Sequence, residues 1–327
     1  MKNAPYKIIG IGAPLCDQIV HVSDEFLKEI HAQKGEMVVI EHSELKSLLA
    51  KVSTSPIIVP GGSAVNVIKG LAQLRHPCAL VGNIGDDALG AYLYQGLEQL
   101  EITPLYTRTE TPTGQVICLI TPDGERTFRV YTGASIDIDY TKLNPDLFRV
   151  ASLVHIEGYA LRNVELVEWV MDKAKRAGAL ISFDVGNFKI ANAYRDKIFE
   201  LSSKYVNILF ANASEAGVLL SLPPKEACAE VGTLCDIGVV TMGIDGCWVG
   251  SKGVLSHTPA FATIPVDSTG AGDLFTCGFL HGFLSGKPLD VCAGIGSLIA
   301  AEVVKVHGAS LPQATWEVLR DTIQAQS

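Results

Sequence analysis

Asp267-Ser268-Thr269-Gly270-Ala271-Gly272-Asp273 runs directly into an apolar helical stretch, residues 274–284. Gly270, Ala271 and Gly272 keep bulky side chains off the main chain, so successive N–H groups at a helix start converge on an anion. An aspartate that closes such a loop faces the same anion. As a like charge it does not ligate phosphate, but it accepts the proton of a hydroxyl that attacks phosphorus. Loop and carboxylate together point to phosphoryl transfer. A bare Gly-Ala-Gly-Asp more often does no more than cap a helix; the seven-residue form carries more weight.

Outward from this loop, short apolar runs at 7–12, 57–60, 79–84, 153–157, 180–185, 208–211 and 237–242 alternate with helical patterns. Such alternation predicts an α/β chain with a central, mostly parallel sheet flanked by helices on both faces, with ligands at the carboxyl ends of the strands. The clearest helical period is Ala64, Val67, Ile68, Leu71 and Leu74. Asn66 lies off that apolar stripe, just after Gly61 and Gly62, and is free to meet a ligand near the helix start. Two stretches break the rhythm. Residues 18–42 stand where a crossover helix is expected, and 113–131 reads as two strands joined by a Pro122-Asp123-Gly124 turn. Together they are expected to form a small β-sheet lid that excludes water from the site. Without repeat or linker, residues 1–327 read as one domain.

Composition excludes several classes. A formal net charge of −9 and the lack of any long basic run argue against nucleic acid. No uninterrupted apolar run approaches the roughly 18 residues of a membrane span. The eight cysteines form no CxxC pair or Cys/His ligand spacing, and read as free, mostly buried thiols of a cytoplasmic protein. The stretch 8–16 is not a lipoprotein signal, because Leu15 occupies the position that needs a small residue; a buried first strand is expected. Gly10 and Gly12 begin like a dinucleotide fingerprint, but the third glycine is missing and Pro14 interrupts the turn. Gly278 and Gly282 suit close packing of helices.

A second motif, Gly61-Gly62-Ser63-Ala64-Val65-Asn66, precedes the first in the chain. Alone it is an ordinary turn and cap. The two in this order and separation resemble the signatures of the ribokinase-like, or PfkB, carbohydrate and nucleoside kinases. The resemblance implies the ribokinase-like three-layer fold with a small β-sheet lid. It implies Asp273 as catalytic base, Gly270, Ala271 and Gly272 as the anion hole, and Gly61, Gly62 and Asn66 as acceptor contacts. Asn212-Ala213-Ser214-Glu215 is similar to the family's NxxE motif, which organises Mg²⁺ and phosphate through water, so Glu215 is implied as a water-mediated metal contact. Asn212 as a plain helix cap is the other reading. Thr241, Gly243 and Gly246 resemble the family's nucleotide-side TxGxxG stretch.

Within the family the adenosine kinase branch is most similar. Gly12-Ala13-Pro14-Leu15-Cys16-Asp17 looks like its opening motif and implies Asp17 as acceptor for two ribose hydroxyls, a role that suits the two oxygens of a carboxylate. Asp17 as a turn residue at a strand end is the alternative. Ala13 departs from the branch, which commonly has asparagine there. Pro112-Thr113-Gly114, Asp123-Gly124-Glu125-Arg126 and Glu157-Gly158-Tyr159 also resemble this branch. They imply Arg126 on the lid as a contact to the transferred phosphate and Tyr159 as a nucleoside contact; Arg126 as a solvated hairpin residue stays open. The expected activity is transfer of the ATP γ-phosphate to a primary hydroxyl of a nucleoside, adenosine first. A sugar kinase of the ribokinase or fructokinase type is the alternative, and a silent ligand sensor a lower one. ATP and Mg²⁺ are the implied cofactors, K⁺ near Asp267 is left open, and the chain is expected to be a monomer or homodimer.

Overall fold

The computed structural model describes residues 6–136 and 138–325. In chain order its strands are β1 (Ile8–Ile11), β2 (Leu15–His21), β3 (Met37–Val39), β4 (Ile57–Gly61), β5 (Cys78–Gly85), β6 (Thr103–Thr109), β7 (Gly114–Ile120), β8 (Arg126–Tyr131), β9 (Leu153–Glu157), β10 (Leu180–Asp184), β11 (Ile208–Asn212), β12 (Ile237–Thr241), β13 (Cys247–Ser251) and β14 (Val254–Thr258). The larger sheet has the order β14-β13-β12-β11-β10-β9-β1-β5-β6. From β12 to β6 every pairing is parallel, and only β13 and β14 are added antiparallel.

Every residue of β1, β5 and β9 is buried, as expected for parallel strands covered on both faces. Alternate residues feed two separate cores. Ile9 and Val154 join one with the helix Val164–Ala177, while Ile8 and Leu153 join the other with helices Ser63–Gln73, Ala271–Leu284 and Leu289–Val303. The mostly parallel sheet between two helical layers is the arrangement the sequence predicts. Among the described residues no helix is long and apolar enough to cross a membrane. All eight cysteines are free, and seven of them are buried.

A second sheet, β3-β8-β7-β2-β4, stands apart from the first. Its strands alternate with period two. Val20, Ile117 and Leu119 pack on helices Asp24–Glu29 and His42–Lys51, while Asp17, Val116, Phe128 and Val130 face the other way, into a cavity. The irregular stretches 18–42 and 113–131 supply most of this sheet. One correction concerns residues 57–60, expected as part of the parallel β/α alternation. As β4 they are instead an edge strand of the second sheet, antiparallel to β2 with Asp17 opposite Val59. Pro60 lies within the strand and Pro56 just before it, and proline lacks the N–H that a central strand needs. Ile57 is accordingly 61% exposed.

The helices Ala271–Leu284 and Leu289–Val303 cross at small residues. A Cβ on Gly278 would lie 2.8 Å from Gly296 Cα and from the Ile295 carbonyl oxygen. Because main chain cannot yield as a side-chain tip does, Gly278→Leu should lower the urea unfolding free energy by about 2 kcal/mol or more through overpacking.

Candidate active site

The carboxyl ends of the parallel strands and the inner face of the second sheet enclose a cavity of about 520 Å³. Asp17 is not a turn residue at a strand end; it sits within β2, facing this cavity. Its carboxylate lies against Gly61, where a Cβ would come within 2.4 Å of it. Gly62 has φ +108°, and a Cβ there would sit 2.3 Å from the Ala13 carbonyl oxygen. The glycine pair is therefore required twice over, by a carboxylate at one position and by main chain at the next.

Helix Ser63–Gln73 starts at this pair and packs alongside helix Ala271–Leu284, with Gly70 against Cys277 and the two N-termini at the same end. Ser63 Oγ donates to Asp273 Oδ1 at 2.7 Å, and Asn66 Nδ2 donates to Oδ2 at 2.8 Å. Asn66 Oδ1 is buried and has no hydrogen-bond partner among the described residues. Asp273 stands in the first turn of its helix, which Gly270 enters at φ +74°. The Ala271 N–H turns back to the Ser268 carbonyl oxygen, whereas no hydrogen bond within the described residues consumes the N–H groups of Gly272 and Asp273. A Cβ on Gly272 would meet nothing within 4 Å. An anion thus has open access to main-chain donors at this helix start.

Arg126, from β8, is not a solvated hairpin residue. It is 15% exposed and forms an ion pair with Asp267 Oδ1 at 2.5 Å, and it also donates to Thr269 Oγ1. Asp267 Oδ2 accepts from the Gly308 N–H at 2.8 Å. The second sheet is thereby tied to the loop that opens the helix.

Five carboxylates gather around the cavity. Burial pushes Asp17 up to about 7, opposed by the field of Lys69 and reinforced by Asp273 and Asp267. Burial also pushes Glu157 up to about 7, although it accepts the N–H groups of Ala13 and Ala64, both at 2.7 Å. Glu215 is raised to about 7 by burial, and Asp184 is raised by burial and by the charges of Glu215 and Asp273. Asp273 is raised by burial, against the hydrogen bonds from Asn66 and Ser63 that favour its charged form.

Asn212 and Glu215 cap helix Ala213–Leu220 reciprocally. Asn212 N–H and Nδ2 donate to Glu215 at 2.8 and 2.6 Å, and the Glu215 N–H donates to Asn212 Oδ1 at 2.9 Å. Both nonetheless line the cavity, as do Thr241 and Tyr159. Tyr159 Oη accepts from Asn187 at 3.0 Å. Gly243 and Gly246 lie beyond the lining, in the connection from β12 to β13. Sequence reasoning assigned no role to Ser63, Glu157 or Asp184. The last two share a legible signal, an acid that ends a mostly apolar parallel strand. The implied groups, ATP with Mg²⁺, fit the residues present. Free amides at 272–273 suit phosphate, and the carboxylates of Asp184, Glu215 and Asp273 call for a nearby cation. Mg²⁺ that keeps its waters does not need a cage of direct ligands.

A parallel α/β sheet with open amides at a helix start and a buried carboxylate beside them suits a phosphotransferase acting on an alcohol group. Residues 27–316 match the pfkB family carbohydrate kinase domain, and the chain belongs to that family. It is 29% identical over 249 residues to an uncharacterized sugar kinase of Archaeoglobus fulgidus, a match covering 73% of this chain and 96% of the relative. Its fold is similar to that of a probable sugar kinase protein from Rhizobium etli, with a TM-score of 0.89, 26% identity, and coverage of 97% of this chain and 98% of the other. It is equally similar to adenosine kinase from Sinorhizobium meliloti, with a TM-score of 0.88, 26% identity, and coverage of 99% and 100%. The protein is a kinase of the carbohydrate and nucleoside group.

The raised acids set a pH dependence of stability. An acid whose folded pKa exceeds its unfolded one holds extra protons in the native state, so its stabilising contribution is lost as pH rises through the folded value. For Asp17, Glu157 and Glu215 that value is about 7. The histidines lowered by burial, His76, His155 and His281, act oppositely through their unfolded value of about 6.5 and offset part of this loss up to about pH 7.5. With the histidines offsetting part of the effect, the unliganded protein should lose about 1 kcal/mol of unfolding free energy between pH 6.5 and 8, measured by urea titration.

Proposed function

We propose that the protein transfers the γ-phosphate of ATP to the primary hydroxyl of a nucleoside, adenosine first, with AMP as product. One observation carries the nucleoside reading. On the cavity face of the second sheet, Asp17 pairs with Val116, Val116 with Val130, and Val130 with Val39. This aliphatic row leads away from a carboxylate suited to a cis-diol, and a flat base lying along it would bury apolar surface that a free sugar does not possess.

In this reading Asp17, Gly61, Gly62 and Asn66 hold the ribose, and Tyr159 contacts the nucleoside. Asp273 takes the proton of the attacking hydroxyl, and its raised pKa improves it as a base near neutral pH. Ser63 and Asn66 fix both of its oxygens. Bound ATP with Mg²⁺ supplies the phosphoryl group. The loop Gly270, Ala271 and Gly272 forms the main-chain cradle for its charge, with the N–H groups of Gly272 and Asp273 as its open donors, Asn212 and Glu215 steady the metal's waters, and Thr241, Gly243 and Gly246 border the nucleotide. The chain works as one domain in which segments 18–42 and 113–131 close over the acceptor. On closure Arg126 exchanges Asp267 for the transferring phosphate. A sugar acceptor is the second reading, favoured by Ala13, which brings no polar side chain to the base, and by the sugar kinases among the similar proteins.

Thermal shifts with adenosine, guanosine, inosine, ribose and fructose, each with and without a non-hydrolysable ATP analogue, test the acceptor. Adenosine should stabilise most; a response to ribose or fructose alone would transfer the assignment to the sugar reading. Asp273→Asn should bind the same acceptor yet lose turnover on the order of a hundredfold or more. Ser63→Ala removes a hydrogen bond to the charged form of Asp273, so the acid limb of its kcat/KM profile should move to higher pH. An unmoved limb would separate that limb from Asp273.

A further inference from the structure

A second cavity, about 310 Å³, lies between helix Ser63–Gln73, helix Ala88–Gln99 and the segment 309–316, and shares only Asn66 with the lining of the candidate active site. Its polar lining includes Lys69, Gln73, Gln95, Gln99 and Ser310. In a chain of net charge −9, no aspartate or glutamate lines it. Lys69 Nζ donates to Ser310 Oγ at 3.0 Å and more weakly to the Pro60 carbonyl oxygen at 3.4 Å. Among the described residues no carboxylate lies within ion-pair distance of it. Burial pushes the Lys69 pKa down to about 8, which still leaves it largely charged at neutral pH. The two direct partners of Lys69 are neutral and the field of Asp17 reaches it only from beyond ion-pair distance, so one of the three ammonium donors is left to direct at an anion.

The rest of the wall decides which anion. Leu100, Leu274, Leu311 and Trp316 give the cavity an apolar side. That side suits a carbon chain, which inorganic phosphate lacks, and the amide N–H groups of Gln73, Gln95 and Gln99 offer donors to a second polar end. We propose that this cavity binds a small organic acid, with its carboxylate on Lys69 and Ser310, its carbon chain along Leu100 and Leu311, and its far polar end among the glutamines. The walls reach the catalytic apparatus at three points. Pro60 precedes the Gly61 that abuts Asp17, Asn66 holds Asp273, and a Cβ on Gly270 would lie 2.3 Å from Ala309 Cβ.

Binding itself is the test, so that the outcome does not depend on which acceptor the enzyme takes. Succinate is titrated into the full-length protein at pH 7, followed by calorimetry and by the fluorescence of Trp316, with neutral succinamide and inorganic phosphate as comparisons. Saturable succinate binding with a dissociation constant on the order of 1 mM or tighter is expected, with a Trp316 response. Lys69→Met should weaken it at least tenfold. Gly96→Leu tests the cavity without touching the lysine. A Cβ on Gly96 would have a single neighbour, Pro60 Cγ at 3.8 Å, so the larger side chain fills open space and should block binding. Circular dichroism and melting of each variant verify the fold, and Lys69→Arg, which keeps the charge, replaces Lys69→Met if the latter unfolds and should retain binding. Succinate binding that survives both Lys69→Met and Gly96→Leu belongs to the amide loop at 270–273 and overturns the proposal. So do equal binding of succinamide, preference for phosphate, or no saturable binding.

Discussion

Asp273 accepts hydrogen bonds from Ser63 and Asn66, side chains 210 and 207 residues away in the chain, and most of the site hangs on that junction. Each such bond to a charged group is worth about 1.5–3 kcal/mol. Their chief effect here is geometric. They join the helix that opens at the Gly61 and Gly62 turn to the helix that opens at the amide loop, so the place where a hydroxyl is read and the place where an anion is held share one carboxylate. Glu157 reinforces the junction from the end of β9 by binding the N–H groups of Ala13 and Ala64. Removing either carboxylate would loosen two loops at once.

This concentration of acids is electrostatically unfavourable for the empty fold. Asp17, Glu157, Asp184, Glu215 and Asp273 are all raised from their ordinary ranges, and burial is the largest cause in each. Opposing charge comes from Lys69 near Asp17 and from Arg126, which is engaged by Asp267. Part of the stability sacrificed in assembling these groups is recoverable on binding, when substrate hydroxyls and a cation supply the missing partners. The arrangement is that of a site whose complement arrives from outside.

Much of the layout was legible in the chain. The heptapeptide 267–273 and the apolar alternation led to the parallel sheet and its amide loop, because both are local patterns with a fixed geometric meaning. The stretch 57–60 was misplaced because a short apolar run looks alike in either sheet; only its prolines hinted at an edge. Asp17 could not be separated from a turn residue until β2 was seen to continue past it. Ser63 looked like a helix cap, yet it lies within the first turn and spends its hydroxyl on Asp273. Glu157 and Asp184 needed knowledge of which strands are neighbours, and that follows from the order of the sheet. Lys69 carries no signal in the sequence, because the cavity around it is completed by segment 309–316, whose Ser310 stands 241 residues further along the chain.

The seam between helices Ser63–Gln73 and Ala271–Leu284 also bears on how the chain is made. Gly70 is so close to Cys277 that a Cβ would come within 2.5 Å of its sulfur, and Ile68 and Leu71 share a core with Leu274 and Cys277. A ribosome delivers the first of these helices long before the second. For most of synthesis, therefore, the apolar face of helix Ser63–Gln73 waits without its cover, the condition in which nascent chains associate wrongly or need chaperones. The contact that defines the finished enzyme is among the last that translation permits.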